Sequence, residues 1–244
     1  MSIPGLERWL DSPQGRHVLG WESARIDGIV ADIFGYNALQ LGLPERDLLR
    51  ENRIPFRQKA GSPAPAAAVD VNCDLRQLPF AANSIDLVVM PHVLEFYDDP
   101  HQILREVERI LIPEGQIVLT GFNPYSLWGL RRRLPGTGSG FPWQGQYLSA
   151  TRTKDWLQLL GFEVARPLFG CHVPPCRTEK WLRRWSWLES SGERGGPASG
   201  GVYVLRAIKR VHGMRLILPR WQSNGRRAKA LTPITQKENP NHGQ

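Results

Sequence analysis

The chain has 244 residues, 41% of them apolar, with a formal charge of +8 at pH 7, a length and composition that bury one full core and favour one domain over two. Its apolar runs fall far short of the roughly 20 residues that cross a bilayer, and MSIPGLERWLDS has two acids and no apolar stretch, so neither a membrane span nor a signal peptide is read and a cytoplasmic location is expected. Cys73, Cys171 and Cys176 are odd in number, as reduced thiols would be.

In chain order, Ser12 and Pro13 form an N-cap and first-turn pair, and Val18, Leu19, Ile26, Ile29, Val30, Ile33 and Phe34 follow at helical spacing. Residues 1–34 therefore read as a helical segment packed beside a sheet. Asn37 to Gly42 reads as a short strand, Pro44 and Glu45 open a compact helix to about Asn52, and Ile54 to Gln58 reads as the next strand. The Pro/Ala stretch SPAPAAA is a loop without evident chemistry.

The most informative stretch is 74–120, DLRQLPFAANSIDLVVMPHVLEFYDDPHQILREVERILIPEGQIVLT. Ile85 and Leu87 to Met90 are apolar on both faces, as a strand covered on both sides requires. Asp99 stands at an N-cap and Pro100 at the first helical position. Ile103, Leu104, Val107, Ile110 and Leu111 then share one helical face, while Arg105, Glu106, Glu108 and Arg109 point to water. Pro113, Glu114 and Gly115 end the helix and turn the chain into an apolar strand, Gln116 to Thr120. A strand, helix and strand in this order predict a right-handed crossover between parallel neighbours.

Gly121 to Pro124 should leave the sheet at its carboxyl edge, where open α/β sheets bind ligands. Arg131 to Arg133 and PGTGSGFPWQG read as a flexible segment. Thr153 to Leu160 reads as a helix stopped by Gly161, and Phe162–Ala165 and Gly201–Lys209 read as closing strands. Their connection, 166–200, is long for a hairpin. Within it Trp181, Leu182, Trp185 and Leu188 line one helical face, a helix expected to fold over the domain or to meet a membrane surface or partner. Cys171, His172 and Cys176 offer at most three ligands, so no metal site is expected. Residues 206–244 hold nine Lys or Arg against one acid, the whole net charge. The segment 211–244 reads as a disordered basic tail, either a solubility device or a nonspecific contact to nucleic acid or an anionic surface.

Asp74, Leu78-Pro79-Phe80, Ser84-Ile85-Asp86-Leu87-Val88 and Pro113-Glu114-Gly115 together resemble the class I S-adenosylmethionine-dependent methyltransferases, in particular the type-11 methyltransferase domain family. The resemblance implies a Rossmann-like α/β domain over 35–210, with a seven-stranded, mostly parallel sheet, helices on both faces and an antiparallel last strand. It also implies S-adenosylmethionine as cofactor, an insertion at 166–200 that helps form the substrate site, and a methyl acceptor the sequence does not name. By position in the motif, cofactor contacts fall on Gly42, Leu43, Gln58, Asp74, Leu75, Pro91 and His92. Asp74 would accept from the adenine amino group and Leu75 would offer its backbone N–H. His92 and Glu95 are the expected acid–base pair. Two departures stand out: Gln40, Leu43 and Pro44 replace the family's acid and small residues around Gly42, and Gln58 stands where an acid holds the ribose. A non-catalytic binding protein on the same fold is the alternative reading.

Overall fold

The computed structural model describes residues 6–61, 69–134, 140–176, 178–185, 187–192 and 200–211. The SPAPAAA loop, part of the PGTGSG stretch and the basic tail from 212 onward lie outside the described residues.

Two helices, α1 (Leu6–Leu10) and α2 (Pro13–Val30), precede the sheet. The Ser12 hydroxyl caps α2 by accepting from the Gly15 N–H at 3.1 Å, and Pro13 opens the first turn as expected. Strands β1 (Asn37–Leu41), β2 (Phe56–Gly61), β3 (Val71–Asn72) and β4 (Ile85–Pro91) follow, then α3 (Pro100–Ile110) and β5 (Leu111–Phe122). Helices α4 (Leu127–Arg133) and α5 (Ala150–Leu159) lead to β6 (Phe162–Val164) and β7 (Leu168–Gly170). The short helices α6 (Glu179–Arg184) and α7 (Trp187–Gly192) come before β8 (Val202–Lys209).

The strand order is β3-β2-β1-β4-β5-β8-β6, with β7 also paired to β8. Strands β1 to β5 pair in parallel, and β8 runs antiparallel to β5. Because β6 meets Ala207 to Lys209 and β7 meets Val202 to Val204, the two short strands share one outer position. Eight strands thus occupy the seven expected places. The crossover is as read: Asp99 caps α3 by accepting from Gln102 at 3.0 Å, and β4 and β5 are parallel neighbours, Val88 opposite Ile117.

Alternate residues of β4 build two cores. Leu87 and Val89 face α2 with Val18, Ile26, Val30 and Val118. Val88 and Met90 face α3 and α5 with Ile103, Val107, Leu119 and Leu157. Burying both faces drives the assembly, at about 25 cal/mol per Å² of apolar surface removed from water.

Four local expectations need correction. The helix expected after Pro44 is absent and residues 43–52 form turns, for a reason given below. The second strand is Phe56–Gly61 and not Ile54–Gln58, because its register is set by β1, Asn37 opposite Phe56 and Leu41 opposite Ala60. Ile54 is instead buried in the α2-side core, its N–H donated to Asn52 Oδ1 at 2.9 Å. Residues 127–133 form a helix, not a flexible segment, capped by Ser126 and anchored by the buried Trp128. The chain also enters β5 directly from Ile110, and Pro113-Glu114-Gly115 lies in an irregularity of β5 where the ladder shifts register.

Lys209 closes the sheet's far corner. Its buried ammonium donates to the carbonyls of Glu108 at 2.7 Å and Leu111 at 2.9 Å, groups the end of α3 leaves without helical partners, and pairs with Glu108 Oε1 at 2.9 Å. Lys209→Met keeps the stem and leaves those oxygens unpaired, so it should cost about 2–4 kcal/mol in urea unfolding. An unchanged midpoint would mean that water replaces the ammonium there.

Candidate functional site

The first loop is built around an amide. Gln40, fully buried at the centre of β1, donates through Nε2 to the carbonyls of Leu43 at 2.9 Å, Arg46 at 2.8 Å and Gly42 at 3.2 Å, and accepts the Leu48 N–H at 3.0 Å. Lys59 adds a bond to the Pro44 carbonyl at 3.2 Å. A helix would direct these carbonyls along its own axis toward later N–H groups. Here they turn inward to one side chain, and Pro44 has no N–H to contribute. This is why the expected helix does not form. A carboxylate at position 40 could accept from Leu48 but would face carbonyl oxygens.

Gly42 has φ +78°, and a Cβ there would lie 2.8 Å from Val93 Cγ2, so glycine is required. Its N–H donates to the Ala60 carbonyl at 3.2 Å. Leu43, at φ +49°, is buried. Gln58 is exposed within β2, opposite Leu39 and three residues before the strand ends at Gly61. The structure therefore does not place it at the carboxyl edge with Gly42.

Asp74 follows β3. Its carboxylate accepts from Arg76 Nη2 at 2.6 Å, Arg76 Nε at 3.1 Å and the Arg76 N–H at 2.9 Å, and these bonds pull it down to about 2. Leu75 beside it is fully buried. Burial, then the Asp74 charge, pushes the Cys73 thiol up and the Tyr97 phenol up to about 12. Asp74 is thus a constantly ionised acceptor beside half-buried, neutral side chains.

Pro91 ends β4, and His92 turns the chain with φ +52°, its N–H on the Thr120 carbonyl at 3.2 Å. Its imidazole is buried between two carboxylates: Nδ1 lies 2.8 Å from Glu95 Oε2, and Nε2 lies 2.8 Å from Glu22 Oε1 on α2. Phe122 stacks on the ring at 4.4 Å, and the Phe122 N–H donates to Glu95 Oε1 at 2.5 Å. Burial alone would depress the imidazolium, but the neighbouring Glu22 and Glu95 carboxylates outweigh it and push His92 up to about 10. Burial raises Glu95 despite the His92 and Phe122 bonds.

The Nδ1 side is thus hydrogen-bonded to Glu95, whereas Nε2 and Glu22 Oε1 are close enough for an ion pair without making a hydrogen bond. Glu22 was not among the expected site residues. Its signal was present in the sequence, since it sits four residues from both Val18 and Ile26 on the apolar face of α2. The aromatic rings beside the knot were also missed: Trp9, Phe122, Phe141 and Tyr147 meet with centroids 4.9–6.1 Å apart. The Tyr147 hydroxyl, the Thr120 hydroxyl and the Trp9 indole N–H have no hydrogen-bond partner among the described residues. The insertion reaches α2, where His17, Trp21, Arg25, His172 and Glu189 border a cavity of about 630 Å³. Glu189 accepts there from His17 at 3.0 Å and lies 3.3 Å from His172 Nδ1. Leu182 is buried as expected, whereas Trp181 is half exposed.

A methyltransferase-domain family model matches residues 49–119. Over that segment the chain is similar to methyltransferase domains. It is 33% identical over 156 residues to the uncharacterized protein YafS of Escherichia coli, covering 64% of this chain and 65% of that one. It is 33% identical over 101 residues to a malonyl-[acyl-carrier protein] O-methyltransferase of Haemophilus ducreyi, 41% of this chain and 36% of that enzyme. The match thus spans just under two thirds of the first relative and about a third of the second. In fold it is similar to a SAM-dependent methyltransferase of Thermotoga maritima, with a TM-score of 0.55 at 19% identity over 80% of this chain and 97% of the other.

Two measurements probe the site's construction. Gln40→Glu should cost about 1–3 kcal/mol of stability, by placing a carboxylate against carbonyls and orphaning them; an unshifted urea midpoint would show that the loop holds itself. Because His92 is raised when folded, its contribution is complete below the unfolded value near 6.5 and lost as pH climbs through about 10. Unfolding midpoints of the native chain should therefore fall across that window. His92→Asn, which tolerates the positive φ, should flatten the fall and cost about 3–5 kcal/mol at neutral pH. A flat native profile would mean a neutral ring.

Proposed function

We propose that the chain is an S-adenosylmethionine-dependent methyltransferase, with the cofactor lying across the carboxyl ends of β1, β3 and β4. The observation that carries this reading is the adenine end. Asp74 is ionised and exposed, buried Leu75 and half-buried Tyr97 adjoin it, and its carboxylate, which Arg76 now holds through both oxygens, would accept an exocyclic amine in place of the guanidinium. Asp74 and the Leu75 backbone would hold the base, and Gly42, Leu43 and Pro91 would border the remainder.

The first loop fits the cofactor less well. The Gly42 N–H and the Gln40 amide are both used within the protein, and Gln58 stands away from the edge. The cofactor would therefore be held mainly from β3 and β4. When bound, its sulfonium supplies the electrophilic methyl group, so the protein's task is alignment. His92 and Glu95 serve in this reading as positioning residues that fix the ends of β4 and β5. The unpartnered Tyr147 and Thr120 hydroxyls and the rings beside them offer polar atoms and an apolar wall to an acceptor. The acceptor's identity is open. The Haemophilus relative methylates malonyl-[acyl-carrier protein], which makes acyl carboxylates the first acceptors to assay. The basic segment 206–244 supports a nonspecific polyanion contact by charge alone.

Calorimetric titration of the purified chain with S-adenosylmethionine and S-adenosylhomocysteine should show binding. Asp74→Ala should weaken it by about 1–3 kcal/mol without altering the circular dichroism spectrum. Equal affinity would remove Asp74 from the site, and no heat with either ligand would favour a fold that has lost its cofactor.

A further inference from the structure

Helix α4 is apolar on the side that faces water. Its inner face is anchored: Trp128 is buried and donates its indole N–H to the Val173 carbonyl at 2.9 Å, and Ser126 caps the helix by accepting the Gly129 N–H at 3.3 Å. Its outer face carries Leu127, Leu130 and Leu134, at spacings of three and four, which are 46%, 56% and 52% exposed, with Tyr125 at 70%. Arg131, Arg132 and Arg133 are exposed on the same element, and residues 123–134 contain no acid. Trp181 and Trp187, 50% and 58% exposed, also lie near arginines, but on two short helices where Arg184 already stacks over Trp181 and Glu179 and Glu189 add negative charge. Phe34, Tyr36 and Phe56 lie at the opposite, amino edge of the sheet, and Leu159 stands alone on α5.

Arg132 is turned to the domain, donating to the Trp143 carbonyl at 3.1 Å and lying over the Tyr147 ring, while Arg131 and Arg133 flank the leucines, and a stripe of exposed leucines flanked by cations is what an interfacial helix presents to lipid. We propose that α4 docks the domain on an anionic bilayer surface, with Tyr125, Leu127, Leu130 and Leu134 entering the headgroup boundary and Arg131 and Arg133 meeting lipid phosphates. Charge selects this occupant. A second copy placed about a two-fold axis would set one arginine run against another, and a nucleic acid would leave the leucines in water. The helix begins a few residues after β5 ends, so docking would bring the carboxyl edge of the sheet to the membrane and admit an acceptor dissolved in lipid.

The test is co-sedimentation of the full chain with phosphatidylglycerol/phosphatidylethanolamine vesicles and with phosphatidylcholine vesicles, at physiological salt and at about 1 M, where charges interact over only about 3 Å. The native chain should prefer the anionic vesicles and keep part of its binding at high salt through the leucines. Leu127→Ser combined with Leu130→Ser should lower partitioning at least tenfold in both salts, Arg133→Gln should weaken only the low-salt anionic arm, and Leu159→Ser should change nothing. A fluorophore on Leu130→Cys should shift to the blue with vesicles. Native-like partitioning of the double variant, binding abolished by salt alone, or no native binding would overturn the proposal. So would a native dimer, seen by light scattering, that the double variant dissociates.

Discussion

One buried cation between two buried carboxylates fixes the geometry of the sheet's carboxyl edge. Removing charges from water costs several kcal/mol per ion unless each is paired and hydrogen-bonded. His92 is paired from both sides at 2.8 Å and hydrogen-bonded on the Glu95 side, and the Phe122 N–H takes another carboxylate oxygen. The result ties three elements with no contact in sequence: Glu22 belongs to α2, His92 and Glu95 to the turn after β4, and Phe122 to the end of β5. The Glu95 carbonyl extends the tie to the 140s by accepting the Gln146 N–H at 2.7 Å. The aromatic rings around the knot exclude water and so keep the pairing strong.

The cofactor edge is reorganised around another buried polar group. Ordinarily a glycine-rich turn and a helix N-terminus direct backbone N–H groups outward to an anionic or hydroxylated ligand. Gln40 instead gathers the turn's carbonyls inward, and the helix with its dipole is gone. In the proposed reading the cofactor would then be held mainly from the β3 and β4 ends, a division that would follow from a single amide in the middle of β1.

Much of this was legible in the sequence where a local rule and the tertiary demand agree. Asp99-Pro100 and Ser12-Pro13 start helices because cap, proline and apolar face point the same way, and the β4–α3–β5 crossover follows from periodicity and the handedness of such connections. Where a long-range contact decides, local reading failed. Pro44-Glu45 looks like a helix start, but Gln40 captures the carbonyls. Arg131 to Arg133 look like a linker, but Trp128 pins them as a helix. His92 and Glu95 were found as a pair from spacing, but Glu22, the carboxylate on the other side of the ring, lay 70 residues away. The fifty residues with the strongest motif were read well because they hold their contacts close in sequence.

The divided outer strand has a consequence for behaviour outside the folded monomer. An open sheet exposes a row of N–H and C=O groups at each rim that can template another chain. Here one rim is the two-residue β3, and the other is split into β6 and β7, three residues each, separated by a break in the ladder. Among the described residues β3 covers only Ala60 and Gly61 of β2, and the part of β2 before them carries Arg57 and Lys59. The sheet's borders are thereby guarded against edge-to-edge polymerisation by brevity on one side and by brevity with charge on the other.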